Sequence, residues 1–385
     1  MAIRLDDTGS LATRPGEESS LTYDRTAREQ ATPWELLRYR GNDLWEDAAW
    51  ELVDLLKISR TRAMELVRQT LKGYANGIES PTGVNREVAD LALYITQPIR
   101  KPHMLERMGT IFLELESAQW LRTALDYGGG GGKDSILYAR SGYEVTYCDL
   151  LGPLTPYVEE RFRLREIDVA IRDVRDLGEA RYDLINCMDV VEHVYDTEYV
   201  LADITARLHH GGHLICYPAF MNLWNGDHIE KNCGYVSYWV EMLECVGFRL
   251  FHEEKPRTSL RNSLLTSLGV RLPEIPVVHL VRQRPVNGSV SEERDAVREE
   301  LYRLSARWST RCAWKAFLVL PIAAVVGWTS FGRTRVRSRN VTERLLGTIM
   351  DNLAIRRLSN HRLEEVRTRE RNPEVVLAPT ENTGD

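Results

Sequence analysis

The sequence predicts an α/β fold: a doubly wound, seven-stranded, mostly parallel sheet with helical segments at both ends of the chain. A run of five glycines at 128–132 follows a short apolar strand and precedes a helical segment at 134–140. Asp149 ends the next predicted strand, about twenty residues after the first glycine, where nucleoside-binding βαβ units hold ribose hydroxyls. Strand and helix patterns then alternate as far as Arg282, which is typical of this fold class.

The remaining core elements are predicted from their hydrophobic periodicity. Helices are expected at 197–208 and 235–246, the second ended by Gly247, because glycine commonly closes a helix at its C-terminus. After the strand that ends at Asp149, the predicted strands lie at 167–171, 182–187, 210–217, 248–252 and 277–282, the 210–217 strand entered by a tight turn.

Helical periodicity rich in Trp, Leu and Arg covers 33–74, and further helices are predicted at 85–94 and 101–123. Thr32, Pro33 and Glu35 have the pattern of an N-cap, a first-turn proline and an early acid. The polar ends are predicted to be disordered tails. The expected domains are a tail at 1–30, a helical region at 31–117, a cofactor-binding domain at 118–284, a helical region at 285–371 and a tail at 372–385.

The spacing of the glycines indicates which nucleoside is bound. A dinucleotide fingerprint needs glycines at relative positions one, three and six, and the sixth position here is Lys133 or Asp134, depending on the start. The pattern that fits is Asp126-x-Gly128-x-Gly130-x-Gly132, and it resembles the first motif of the S-adenosylmethionine (SAM)-dependent methyltransferases with a Rossmann-like fold. The resemblance covers roughly 118–284, a normal size for one domain.

The resemblance implies SAM as the cofactor and assigns residues to it. Asp126 and the alternate glycines Gly128, Gly130 and Gly132 match the first motif, and Asp149 is expected to bind the ribose hydroxyls. Asp173, after the third strand, is expected to accept a hydrogen bond from the adenine amino group. Asp189 begins the segment that lines the cofactor and the acceptor in this family.

Three polar residues after the fourth strand suggest catalytic chemistry. Asp189, Glu192 and His193 share one face if a helical turn follows the strand. They resemble the Glu-x-x-Glu-His metal site of ubiquinone-pathway O-methyltransferases and small-RNA 2′-O-methyltransferases, with aspartate in place of the first glutamate. Two carboxylates and an imidazole suit a divalent cation. The alternative, which we favour, is that Glu192 and His193 orient the acceptor without a metal.

His228, between the fifth strand and the following helix, is a candidate general base because histidine titrates near neutral pH. A loop histidine bonded to the backbone is an equal alternative. Aromatic residues around it suggest a pocket for a flat or apolar acceptor, although the last two fit helix packing better: Tyr217, Phe220, Trp224, Tyr235, Tyr238 and Trp239.

Composition limits the partners. The formal net charge of −6 argues against a general attraction to nucleic acid. The six cysteines include no Cys-x-x-Cys pair, which is typical of reduced, buried thiols in a cytoplasmic protein. The first residues lack the pattern of a signal peptide.

An uncharged segment at 316–331 interrupts the C-terminal helical region. It is slightly shorter than the roughly twenty residues that span a bilayer, and basic residues flank it as far as Arg339. One interpretation is peripheral membrane contact through 316–339. The other, which we favour, is a buried helix broken at Pro321 and packed on the core or on a second subunit. Helical residues at 342–369 could serve contacts in a homo-oligomer.

The sequence thus predicts a SAM-dependent methyltransferase acting on a small aromatic or lipid-like acceptor, with oxygen as the favoured accepting atom. Two alternatives stay open: an RNA-directed 2′-O-methyltransferase, and a non-catalytic, membrane-associated scaffold that keeps the fold. Asp126, Asp149, Asp173 and the glycines argue against the scaffold.

Overall fold

The computed structural model describes residues 32–75, 84–100, 115, 121–218, 229, 232, 234–235, 238–253, 277–329, 349–350 and 352–364. Seven strands make up its sheet: β1 (Thr123–Tyr127), β2 (Glu144–Asp149), β3 (Val169–Asp173), β4 (Tyr182–Met188), β5 (Leu208–Tyr217), β6 (Phe248–Glu253) and β7 (Val278–Arg282).

The strand order is β3-β2-β1-β4-β5-β7-β6. Strand β1 pairs in parallel with β2 and β4, β2 pairs in parallel with β3, and β6 pairs antiparallel with β7. The predicted seven-stranded α/β sheet is therefore confirmed. Since the order reverses at β1, the edge beyond the carboxyl ends of β1 and β4 is where ligands bind in sheets of this kind.

The described chain divides into two compact units, one with the residues up to Met188 and 211–216, the other with 189–210 and the residues from Tyr217 onward. In the first unit, the helices are α1 (Pro33–Leu37), α2 (Leu44–Leu56), α3 (Arg60–Ala75), α4 (Arg86–Ile95), α5 (Gln97–Arg100), α6 (Lys133–Arg140) and α7 (Thr155–Leu164).

Helices α1 to α3 replace the continuous periodicity predicted for 33–74. The predicted cap is present, since Glu35 N–H donates to Thr32 Oγ1 (3.3 Å) and Thr32 N–H donates to Glu35 Oε2 (2.6 Å). Apolar residues of α2, α3 and α4 form one buried cluster that includes Leu52, Leu66 and Leu91. Most of the helix predicted at 101–123 lies outside the described residues, and Thr123 begins β1 instead.

In the second unit, the helices are α8 (Thr197–Arg207), α9 (Trp239–Cys245) and α10 (Val290–Thr329), and residues 352–364 are helical. Helix α9 begins four residues later than predicted. Strand β5 already begins at Leu208, where the end of a helix and a turn were expected, and Gly211 lies within the strand with φ 79°.

Helix α10 runs through Pro321, so the predicted break there is wrong. Within the described ranges, no helix has both the length and the apolar character needed to cross a membrane. The described cysteines are all free thiols and four are buried, but Cys245 is exposed, which corrects the expectation that all are buried.

Candidate functional site

The glycine loop, residues 128–132, connects β1 to α6 and has an alternating backbone. Gly128, Gly130 and Gly132 adopt positive φ of 71°, 51° and 74°. Residues with a Cβ rarely adopt these angles, so the alternate glycines of the motif are a backbone requirement. The loop is tied to the end of β2, because Gly128 N–H donates to Cys148 O (2.8 Å) and Gly130 N–H donates to Asp149 Oδ2 (2.8 Å).

Aromatic side chains fill the space that Cβ atoms would occupy on this loop. A Cβ on Gly129 would lie 2.5 Å from the Tyr147 ring, and one on Gly131 would lie 2.4 Å from Tyr94 Cβ. Tyr147 OH also donates to Gly130 O (2.9 Å). The side chains of Tyr94 and Tyr147 thus approach the backbone of the glycine loop closely. Close approach of a ligand to this backbone stays a prediction.

Asp126, at the end of β1, is buried and bonded within the protein. Its Oδ2 accepts from Ser135 N–H (2.9 Å) and Ser135 Oγ (2.7 Å), and its Oδ1 accepts from Asn186 Nδ2 (3.0 Å). Burial and the neighbouring Asp134 raise the pKa of Asp126 to about 6. These bonds connect the end of β1 to the first turn of α6 and to β4, so Asp126 holds the loop's flanks in place.

Asp149 and Asp173 are register partners at the carboxyl ends of β2 and β3. Asp149 accepts from Gly130 N–H and, through Oδ1, from Leu150 N–H (2.7 Å). Burial raises the pKa of Asp149, and these hydrogen bonds oppose the rise. Asp173 forms a two-point ion pair with Arg175, at 2.7 Å and 2.5 Å, and this pairing holds its pKa well below the usual range.

In the second unit, Asp189, Glu192 and His193 do not form the predicted helical face. Asp189 has φ 55°, its N–H donates to Tyr217 O (2.8 Å), and His193 N–H donates to Val190 O (3.0 Å), as in a reverse turn. A left-handed residue breaks the helical periodicity, so the three side chains are not aligned one above another. Within the part of the chain that the structure describes, no three potential ligand side chains could hold a metal ion together.

Glu192 and His193 nevertheless remain neighbours. The Glu192 side chain is fully buried, His193 is 38% exposed, and His193 Nε2 lies 4.0 Å from Glu192 Oε1. Asn232, buried, donates through Nδ2 to Val191 O (3.0 Å), Glu192 O (3.2 Å) and Val194 O (2.8 Å). One amide therefore binds the backbone of the 191–194 turn. His228 lies outside the described residues.

The segment that contains the glycine loop is similar to a known family. Residues 125–216 match the model of a methyltransferase domain family. This segment is a methyltransferase domain. The match begins in β1 and ends in β5, so it includes the glycine loop, Asp149, Asp173 and the 189–193 turn.

Two relatives of the methyltransferase domain are named ubiquinone biosynthesis O-methyltransferase. Those of Serratia proteamaculans (strain 568) and Photorhabdus laumondii are each 30% identical over 129 residues, which is 32% of this chain and 49% and 50% of theirs. The chain thus spans about half the length of the curated relatives it matches. A SAM-bound magnesium protoporphyrin IX methyltransferase from Synechocystis PCC 6803 is 16% identical over 57% of this chain and 95% of its own, with a TM-score of 0.33. The fold assignment rests instead on the strand order and the family match.

The donor and acceptor set of the methyltransferase domain fits an adenosine. Each carboxylate oxygen has two lone pairs, and Asp149 Oδ1 uses one for Leu150 N–H, so it retains an acceptor position for a ribose hydroxyl. Leu150 and Leu151 follow with 65% and 42% exposure, which is unusual for large apolar side chains and provides a surface for a planar base.

Sequence reasoning missed Tyr94 and Tyr147 beside the glycine loop and Asn232 at the 191–194 turn. Tyr147 lies two residues before Asp149 on β2, and side chains two apart on a strand face the same side, so the sequence could have indicated that Tyr147 lies near the acid. No local pattern points to Tyr94 or Asn232, because both act on segments distant from them in the sequence.

Proposed function

We propose that this protein transfers the methyl group of SAM to the oxygen of a small acceptor. The observation that carries the proposal is the juxtaposition of Gly130 N–H, Asp149 and Asp173 at the carboxyl edge of the sheet, within the segment that matches the methyltransferase family. The two acids on adjacent strand ends offer acceptors for the ribose and the adenine of one nucleoside.

In this proposal, bound SAM supplies an electrophilic methyl group on a sulfonium. The chain's own residues bind and orient: Asp149 accepts from the ribose hydroxyls, and Asp173 turns one oxygen to the adenine amino group while keeping its pairing with Arg175. Asp126 acts through Ser135 and Asn186 rather than on the cofactor directly, because its contacts lie inside the protein. Positioning of this kind lowers the barrier by several kcal/mol.

The proton of an accepting hydroxyl needs a base, and Glu192, His193 and His228 remain the proposed candidates. The 4.0 Å approach of His193 Nε2 to Glu192 Oε1 supports a pair in which the buried carboxylate orients an accessible imidazole. Asp189 remains a proposed cofactor-binding residue. A divalent cation held by Asp189, Glu192 and His193 is not part of the proposal, because the turn does not align them.

The acceptor class is proposed from the relatives. Both are named for O-methylation in ubiquinone biosynthesis, which supports a small, aromatic or lipid-like hydroxyl compound. Methylation of RNA and binding without catalysis are outcomes that the following experiment would reveal.

The test supplies methyl-labelled SAM to the purified protein together with phenolic small molecules, a lipid extract and RNA in separate reactions. We expect label in the phenolic or lipid fraction, loss of label transfer in Asp149→Ala, and retained SAM binding with reduced transfer in His193→Ala. If only RNA is labelled, the acceptor is RNA and not a small molecule. If the protein binds SAM but labels no fraction, the non-catalytic scaffold is favoured.

The wider organisation is also proposed, with the methyltransferase domain at 118–284 between helical regions at 31–117 and 285–371. A cytoplasmic location, peripheral membrane contact through 316–339 and a homo-oligomer remain predictions. Vesicle co-sedimentation and analytical ultracentrifugation of the full chain would test the last two.

A further inference from the structure

A buried ion cluster joins α2 to the glycine loop. Arg161, on α7, donates from Nε to Glu51 Oε1 (2.6 Å) and from Nη2 to Glu51 Oε2 (3.2 Å), while its Nη1 donates to Gly131 O. Arg165, the residue that caps the C-terminus of α7, donates to the same Glu51 Oε1 (2.6 Å). All three ionic side chains are at most 5% exposed.

The charge balance of this cluster is set by Glu51. Burial alone would raise the pKa of Glu51, but Arg161 and Arg165 lower it to about 2, so the carboxylate stays ionised at neutral pH. A buried ion pair is a weak source of stability, because desolvation offsets the attraction, and such groups are better explained where they fix a particular arrangement.

The arrangement fixed here is that of the glycine loop. Five consecutive glycines have more backbone freedom than any other pentapeptide and lose the most entropy on ordering. Gly130 N–H is held by Asp149 and the Gly131 carbonyl by Arg161, so the two contacts restrain the 129–130 and 131–132 peptide units through partners of opposite charge. The Tyr94 ring, from α4, packs on the same two glycines.

We propose that Glu51 is a positioning residue of the cofactor site: it orients Arg161, which fixes the Gly131 carbonyl and with it the loop that contacts SAM. The helical region before β1 then helps to position the cofactor site. This inference rests on the proposed function for its SAM consequence, but the restraint on the loop can be measured without SAM.

Arg161 and Arg165 provide a matched pair of variants. Both bind Glu51, but within the described residues only Arg161 also bonds to the glycine loop. Arg161→Lys and Arg165→Lys each keep the positive charge and remove the guanidinium fork. A merely structural role for the cluster predicts equal effects from the two changes.

The experiment compares the full-length variants by hydrogen–deuterium exchange of the peptide covering 128–132, without SAM, and by calorimetric titration with SAM. In Arg161→Lys we expect exchange about tenfold faster and SAM affinity about tenfold weaker, with an increased KM for SAM and unchanged kcat at saturation. In Arg165→Lys we expect a lower melting temperature, with loop exchange and SAM affinity within about twofold of wild type.

Equal exchange in the two variants would overturn the proposal, as would faster loop exchange in Arg161→Lys with unaltered SAM affinity. Wild-type protein that binds no SAM would refute the proposed function, while the exchange comparison would still decide whether the cluster restrains the loop. If Arg161→Lys fails to fold, Glu51→Asp, which withdraws the carboxylate but keeps its charge, is judged by the same two measurements.

Discussion

Replacing Asp149 by alanine tests the cofactor site most directly. The change removes the acceptor of Gly130 N–H (2.8 Å) and of Leu150 N–H (2.7 Å), together with the acceptor positions proposed for the ribose. A hydrogen bond to a charged group contributes about 1.5–3 kcal/mol, so losing one or two to the ribose weakens SAM binding by roughly 10-fold to 10,000-fold. The loosened loop adds to this loss.

The assay is calorimetric titration with SAM at a temperature well below the melting point of each variant. Asp149→Asn keeps the shape of the side chain and removes its charge. Its NH₂ group must also face one of the two N–H donors that the carboxylate binds. We expect it to bind SAM more weakly than wild type. Glu144→Ala, at the exposed opposite end of β2, is the control and should bind like wild type. Unchanged affinity in Asp149→Ala would refute the reasoning.

Three further predictions concern the backbone, the turn and pH. Gly130→Ala and Gly178→Ala both place a Cβ at positive φ, but Tyr94 lies 2.8 Å from the first Cβ and nothing lies within 4 Å of the second. Gly178→Ala should therefore cost about 1–2 kcal/mol of unfolding free energy, and Gly130→Ala more, together with SAM binding; equal losses in chemical denaturation would contradict this. Asn232→Ala leaves the carbonyls of the 191–194 turn without their donor, so steady-state kinetics should show a reduced kcat with unchanged SAM affinity, and an unchanged kcat would argue against the turn's catalytic role. Burial lowers the pKa of His213 to about 4 in the folded protein. The neutral imidazole therefore contributes its full share of the folding stability above the unfolded-state pKa of about 6.5, and this share is lost as pH falls from about 6.5 to 4. Relative to His213→Gln, wild type should lose about 3 kcal/mol of unfolding free energy across that range, and parallel pH curves for the two proteins would refute this.

Much of the fold follows from local patterns. Strand β4, predicted at 182–187, is found at Tyr182–Met188, and its first six residues are buried even though Asp183 and Asn186 are polar. The alternate glycines also agree in detail, since Gly128, Gly130 and Gly132 are the loop residues with positive φ. Two predictions are wrong. Asp189 and His193 are not aligned on a helix, because Asp189 has a left-handed backbone, and helix α10 continues through Pro321.

The sequence by itself determined the order of strands and helices, the family of the domain and the acids at the ends of β1, β2 and β3, because periodicity and spacing are properties of neighbouring residues. Only the tertiary structure decided which groups restrain the glycine loop and the 191–194 turn. Glu51 meets Arg161 across 110 positions and Asn232 reaches back 38 to 41 positions. Many charged and amide side chains could form such pairs, and tertiary packing decides which of them are brought together and shielded from water. No local sequence pattern contains that information.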